Sequence, residues 1–153
     1  MTDVRSHPVT GDSLSTLRAL RPSMPTLPRT IVEAVLANGG SIGSSTTVAQ
    51  RFGIPNRFRL ARMLKRAGVP PLHRLAEWAL VESWLRRAEV ERQSLCHIAF
   101  HSGRYPSACY RLVKELTGLT WAALRARGLR WFQNEFAKQL SPTRRNNGQR
   151  HLA

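Results

Sequence analysis

Residues 94–116 read Ser94-Leu95-Cys96-His97-Ile98-Ala99-Phe100-His101-Ser102-Gly103-Arg104-Tyr105-Pro106-Ser107-Ala108-Cys109-Tyr110-Arg111-Leu112-Val113-Lys114-Glu115-Leu116. Ser94 is suited to cap a helix carrying Leu95, Ile98 and Ala99 on its apolar side. Gly103 ends that helix, and Pro106 starts a second one, since proline is tolerated in a first helical turn. Ala99 lies four positions before Gly103. A small side chain there lets two helices cross steeply, and the glycine permits the left-handed backbone such a turn uses. The same arrangement occurs earlier: Thr46–Phe52, a turn at Gly53-Ile54-Pro55, then Asn56–Arg66, with Ala49 four positions before Gly53.

Working outward, helical spacing continues and no strand alternation interrupts it. Residues 30–38 form a short helix with Ile31, Val32, Val35 and Leu36 on one side, broken by Gly39, Gly40 and Gly43. Thr46 or Thr47 opens the next. A third starts near Pro55, carries Phe58, Leu60, Ala61, Met63 and Leu64, and stops at Gly68. Pro70 and Pro71 start a long helix to about residue 90, with Leu72, Leu75, Trp78, Ala79 and Leu85 as its apolar positions. After the 94–116 pair, Thr120 caps a helix around Leu124, and 129–140 forms another. The expected fold is therefore all-α, two helix-turn-helix subdomains joined by a long central helix. Residues 1–29, rich in Pro, Ser and Thr, read as a disordered or loosely docked arm. Residues 30–140 form the folded domain, and 141–153 a basic flexible tail. The expected core centres on Ala49, Phe52, Leu60, Leu64, Leu75, Trp78, Ile98, Ala99, Leu112, Leu116 and Leu124.

Charge narrows the partners. The 153 residues carry 24 Lys and Arg against 9 Asp and Glu, a net charge of +15. Such an excess attracts polyanions. Its distribution is uneven. Between 45 and 68 stand Arg51, Arg57, Arg59, Arg62, Lys65 and Arg66 with no acid. Between 94 and 128 stand Arg104, Arg111, Lys114, Arg125 and Arg127 against Glu115 alone. Between 70 and 93 the charges balance: Arg74, Arg86, Arg87 and Arg92 against Glu77, Glu82, Glu89 and Glu91. The cations thus gather on the two helix pairs, where phosphate would be met. No run approaches the roughly 18 apolar residues of a membrane span, and no secretory core is present near the N-terminus. The expected location is cytoplasmic, with Cys96 and Cys109 as free thiols.

The second helix pair resembles the AraC/XylS family of bacterial regulators. Ser94-Leu95-Cys96-His97-Ile98-Ala99 is similar to that family's Ser-Ile-x-x-Ile-Ala opening. Gly103, Pro106-Ser107, Arg111, Lys114, Gly118 and Thr120 follow in family order, and Leu124-Arg125 resembles its closing pair. The first unit matches more loosely, through Val48-Ala49, Phe52-Gly53 and Met63-Leu64-Lys65 before Gly68. The likeness spans about residues 45–128. Three departures stand out. The second turn is one residue shorter than the family pattern, Arg104 replaces a common Phe, and Trp121 a common Pro. The resemblance implies a stand-alone transcription regulator without an effector domain. It would bind double-stranded DNA as a monomer, through two recognition helices in adjacent major grooves. RNA polymerase or a separate sensor protein would be its protein partners.

The residues expected to contact DNA are Asn56, Arg57, Arg59, Arg62 and Lys65 in the first unit, and Arg104, Ser107, Arg111 and Lys114 in the second. Arg62 and Arg111 are the expected base readers, Lys65 and Lys114 the phosphate grips. Competing readings carry less. The four tryptophans, Trp78, Trp84, Trp121 and Trp131, fit core packing better than base stacking. His97 and His101 have i, i+4 spacing, but Cys96 and Cys109 form no CxxC pair, so no metal and no cofactor is expected. The glutamates of 77–91 read as solvent-facing partners of Arg74, Arg86 and Arg87. No nucleophile motif, phosphate-cradling loop or metal triad appears, so the chain is not read as an enzyme. The remaining alternatives are an accessory DNA-binding module in replication, transposition or a larger complex, and a nucleic-acid-processing enzyme.

Overall fold

The computed structural model describes residues 11–141, and among them the chain is all-helical. The order is α1 (Gly11–Leu20), α2 (Thr26–Ala37), α3 (Ser45–Arg51), α4 (Arg57–Arg66), α5 (Leu72–Val90), α6 (Leu95–His101), α7 (Pro106–Thr117), α8 (Trp121–Arg127) and α9 (Leu129–Leu140). The tail at 142–153 and the first ten residues lie outside the described residues.

Helix α5 is the hub. Its 19 residues make a rod about 29 Å long at 1.5 Å per residue. Leu72, Leu75, Trp78, Ala79, Val81, Trp84, Leu85 and Ala88 are all buried and spread around more than one side. A helix apolar around its circumference must be surrounded. Here α2, α6, α7 and α9 surround it. Trp78 stacks on Phe136 at 5.5 Å between ring centroids and lies tilted to Phe132 at 5.1 Å. Such aromatic pairs add about 0.5–1.5 kcal/mol beyond burial. They fix α9 against α5. Glu89 of α5 also accepts a 2.8 Å hydrogen bond from the Leu129 N–H, satisfying a donor at the start of α9 that no local side chain caps.

Three expectations change. The first concerns the segment before residue 30, read as a disordered or loosely docked arm. Within it, α1 packs on α2 and α9, with Leu17 only 1% exposed. Ser13 donates to Glu82 at 2.5 Å in a buried contact. Arg21 then donates to the Gly68 and Leu140 carbonyls at 3.3 Å each, and also to that of Ala67. The prolines punctuate helices here instead of preventing them. Pro25 takes the N-cap of α2, and Pro28 sits in its first turn, where no intrahelical donor is lost. Helix α2 therefore begins at Thr26, four residues before the expected start.

The second change is Glu82, expected at the surface. It is 5% exposed and bonded to Ser13 and, at 3.3 Å, to Arg86. Buried carboxylates need such partners, because an unpaired buried charge costs several kcal/mol. Arg74–Glu77, at 2.9 Å, is the surface pair expected. The third change is the phase of α4 and α7. Phe58 and Ala61 face solvent, while Leu60 and Leu64 are buried. On α7 the buried positions are Cys109 and Val113, with Leu112 and Leu116 half-buried at the edge of the core. Phe52 is half-buried too, whereas Ala49, Leu60, Leu64, Leu75, Trp78, Ile98, Ala99 and Leu124 lie in the core as expected.

Candidate nucleic-acid interface

The two helix pairs share a scaffold at a fixed offset. Ser44 caps α3 by accepting from Thr47 N–H at 3.2 Å, and Ser94 caps α6 by accepting from His97 N–H at 3.1 Å. Both helices then run seven residues. Val48 and Ala49 are buried in the first, Ile98 and Ala99 in the second. Ile54 N–H donates back to Ala49 at 2.8 Å, and Arg104 N–H to Ala99 at 2.9 Å. Gly53 and Gly103 take φ +68° and +67°, the left-handed geometry that such a helix end demands of one residue. Ser44, Ala49 and Gly53 stand 50 residues before Ser94, Ala99 and Gly103.

The connection after α3 spans residues 52–56, and that after α6 spans 102–105, one residue fewer. Beyond it the offset is 49. Leu60 corresponds to Cys109, and Leu64 to Val113, each pair turned inward. Arg62 then corresponds to Arg111 and Lys65 to Lys114, all four exposed. At 100° per residue, Arg62 and Lys65 point away from the Leu60–Leu64 stripe, and Arg111 and Lys114 away from Cys109 and Val113.

All nine residues expected to contact DNA are exposed, but they do not play one part. Asn56 caps α4, its Oδ1 accepting from Arg59 N–H at 2.9 Å. Arg57 lies 4.9 Å over the Phe58 ring. Arg59 and Arg62 line a groove between α4 and residues 20–28. Lys65 stands in the last turn of α4. In the second unit, Arg104 borders a smaller pocket with Trp84, Tyr105 and Cys109. Burial pushes the Cys109 thiol up from its ordinary pKa, and the nearby Arg104 charge works in the other direction. Ser107, Arg111 and Lys114 share the outward side of α7.

No ion pair of the described residues engages the cations of α4 or α7. The pairs join Arg18 with Glu33, Arg74 with Glu77, Arg86 with Glu82 and Lys138 with Glu135. Both helices thus present charge that no ion pair among the described residues neutralises, the condition for releasing counterions from a polyanion. Sequence reasoning counted Arg66 in the basic cluster without naming it as a contact, and missed Phe58 on this surface. Phe58 is 62% exposed beside Arg62 and Lys65. Its position was readable: two residues before Leu60, it falls about 200° from the buried stripe.

His97 and His101 rings lie 4.2 Å apart, yet no group of three or more His, Cys, Asp or Glu is placed to hold a metal among the described residues. Cys96 is an exposed free thiol 3.6 Å from the Tyr110 hydroxyl, and Cys109 a buried one. Trp78, Trp84 and Trp121 are buried, while Trp131 is half-buried under Arg127 at 4.9 Å. No described helix is long and apolar enough to cross a membrane. Comparison with protein-family models, with curated proteins and with solved structures finds no match for this chain.

Proposed function

We propose that the protein is a sequence-specific regulator of transcription that binds duplex DNA as a monomer, in the manner of the AraC/XylS regulators it resembles. Each helix pair acts as a helix-turn-helix unit, with α4 and α7 as recognition helices entering adjacent major grooves. Helix α5, about 29 Å long, is comparable to the roughly 34 Å between successive major-groove faces. Arg62 and Arg111 read base edges, since arginine pairs bidentately with guanine. Lys65 and Lys114 grip phosphate, and Arg57, Arg59 and Arg104 add to the electrostatic hold. Asn56 and Ser107 sit at the N-terminal ends of α4 and α7, where a recognition helix first meets the groove.

The observation that carries this reading is the repetition: two helix pairs, each presenting at the same outward positions an Arg and a Lys that no ion pair of the described residues engages. The test is selection of preferred sites from random duplexes, followed by footprinting. The expected outcome is one enriched sequence with two protected half-sites about one helical turn apart. Failure to enrich any sequence would remove the regulator reading, and protection of one half-site alone would remove the bipartite one.

A further inference from the structure

Helix α4 faces residues 20–28 across a groove of about 950 Å³. Leu20, Met24, Ile54 and Met63 give it an apolar lining. Arg59, Arg62 and Arg66 line its α4 side, and no ion pair of the described residues engages them. The opposite wall is pinned before any ligand arrives. Arg21 ties it to the Ala67, Gly68 and Leu140 carbonyls. Arg29 donates back to the Arg21 and Pro22 carbonyls at 2.9 and 2.7 Å. A wall held in this way loses little freedom when a ligand binds.

We propose that this groove binds a small organic anion with an apolar body, its carboxylates held by Arg59, Arg62 and Arg66. The volume suits a ligand of that size. Guanidinium forks match carboxylates bidentately, and an apolar body takes the Leu20, Met24, Ile54 and Met63 surface out of water. The chain's own residues 142–153 are poor occupants, because they bring Arg144, Arg145 and Arg150 and no acid. Arg59 and Arg62 belong both to this groove and to the outward surface of α4. On the DNA-binding reading, on which this consequence rests, anion and duplex compete for them. Linkage then requires each to weaken the other equally.

The probe is 2-naphthoate, with 2-naphthamide as its uncharged counterpart, titrated into the full chain by calorimetry and followed in amide NMR spectra. Saturable one-to-one binding of the naphthoate is expected, with shifts confined to residues 20–28 and 54–67. Naphthamide should bind about tenfold more weakly, and Arg66→Gln should weaken the naphthoate by about the same factor, as expected for a charged hydrogen bond. Leu20→Ser, in an exposed part of the lining, should weaken both compounds alike. Equal binding of acid and amide, indifference to Arg66→Gln, or shifts centred elsewhere would overturn the site. These titrations need no DNA, so they decide the site even if no duplex is bound. Unchanged duplex affinity at saturating naphthoate would overturn the competition alone.

Discussion

The pair α3–α4 and the pair α6–α7 are built alike and dressed differently. In their first helices, α3 and α6, the serine caps, the seven-residue length, the small buried alanines and the left-handed glycines that follow coincide at a 50-residue offset. The surfaces do not. Helix α4 carries Arg57, Arg59, Arg62, Lys65 and Arg66 with no acid, plus the exposed Phe58. Helix α7 carries Arg111 and Lys114 beside Glu115, with Ser107 and Tyr110 where α4 has Phe58 and Ala61. Scaffold residues are held by packing and backbone geometry, whereas outward residues are free to diverge with what they touch. Helix α4 should therefore supply most of the non-specific grip on a polyanion, and α7 a smaller share.

The largest effect is electrostatic. With six to ten phosphates engaged, affinity for duplex should fall roughly 10³–10⁵-fold between 50 and 200 mM salt. The slope should divide unequally between the two helices. Replacing Arg57, Arg59, Lys65 and Arg66 by Gln should lower the slope of log K against log salt by about 4, and replacing Lys114 by Gln should lower it by about 1. Equal losses from both helices would break the asymmetry, and a salt-insensitive wild type would break the electrostatic reading altogether.

Next comes the shared scaffold. Ala49 is 1% exposed and Ala99 fully buried, each on the first helix of its pair. Ala49→Phe and Ala99→Phe should each overpack a helix crossing and cost about 1–3 kcal/mol, read from denaturant midpoints. If only one variant loses stability, the two crossings are not equivalent.

How far these features can be read from sequence alone depends on how local they are. Helices α6 to α8 announce themselves through Ser94, Gly103, Pro106, Gly118 and Thr120, each a cap or turn residue whose effect needs no distant partner. Helix α1 does not. It is secured by α9, from the far end of the chain, and by the buried Ser13–Glu82 contact 69 residues apart. Leu14, Leu17 and Leu20 stand at helical spacing within α1, but a reading weighted on the Pro, Ser and Thr content of 1–29 passes over them. The candidate interface was readable as unpaired charge on α4 and α7. The groove behind Arg59 and Arg62 was not, because its other wall is that same distant segment.

Arg62 and Arg111 sharpen the comparison at the level of single bases. They occupy matching positions, so each truncation should relax discrimination by about 1–3 kcal/mol at one half-site and leave the other unchanged. Lys65→Ala and Lys114→Ala should weaken all sequences alike. Footprints and selections with the four variants separate these outcomes. If Arg111→Ala behaves as Lys114→Ala does, α7 grips without reading, and α4 alone specifies the site.

The smallest effect tests the turns themselves. Gly53 and Gly103 share φ near +68°, and a Cβ built on either would meet nothing within 4 Å. An alanine therefore brings no collision, only the strain of a left-handed backbone, about 1–2 kcal/mol. Because both terms match, Gly53→Ala and Gly103→Ala should cost the same within error, although the second connection is one residue shorter. Calorimetric or denaturant midpoints measure this directly. A clearly larger loss at Gly103 would mean that the shorter connection is already under tension. The orientation of α7 would then rest on its turn more than on the packing of Cys109 and Val113.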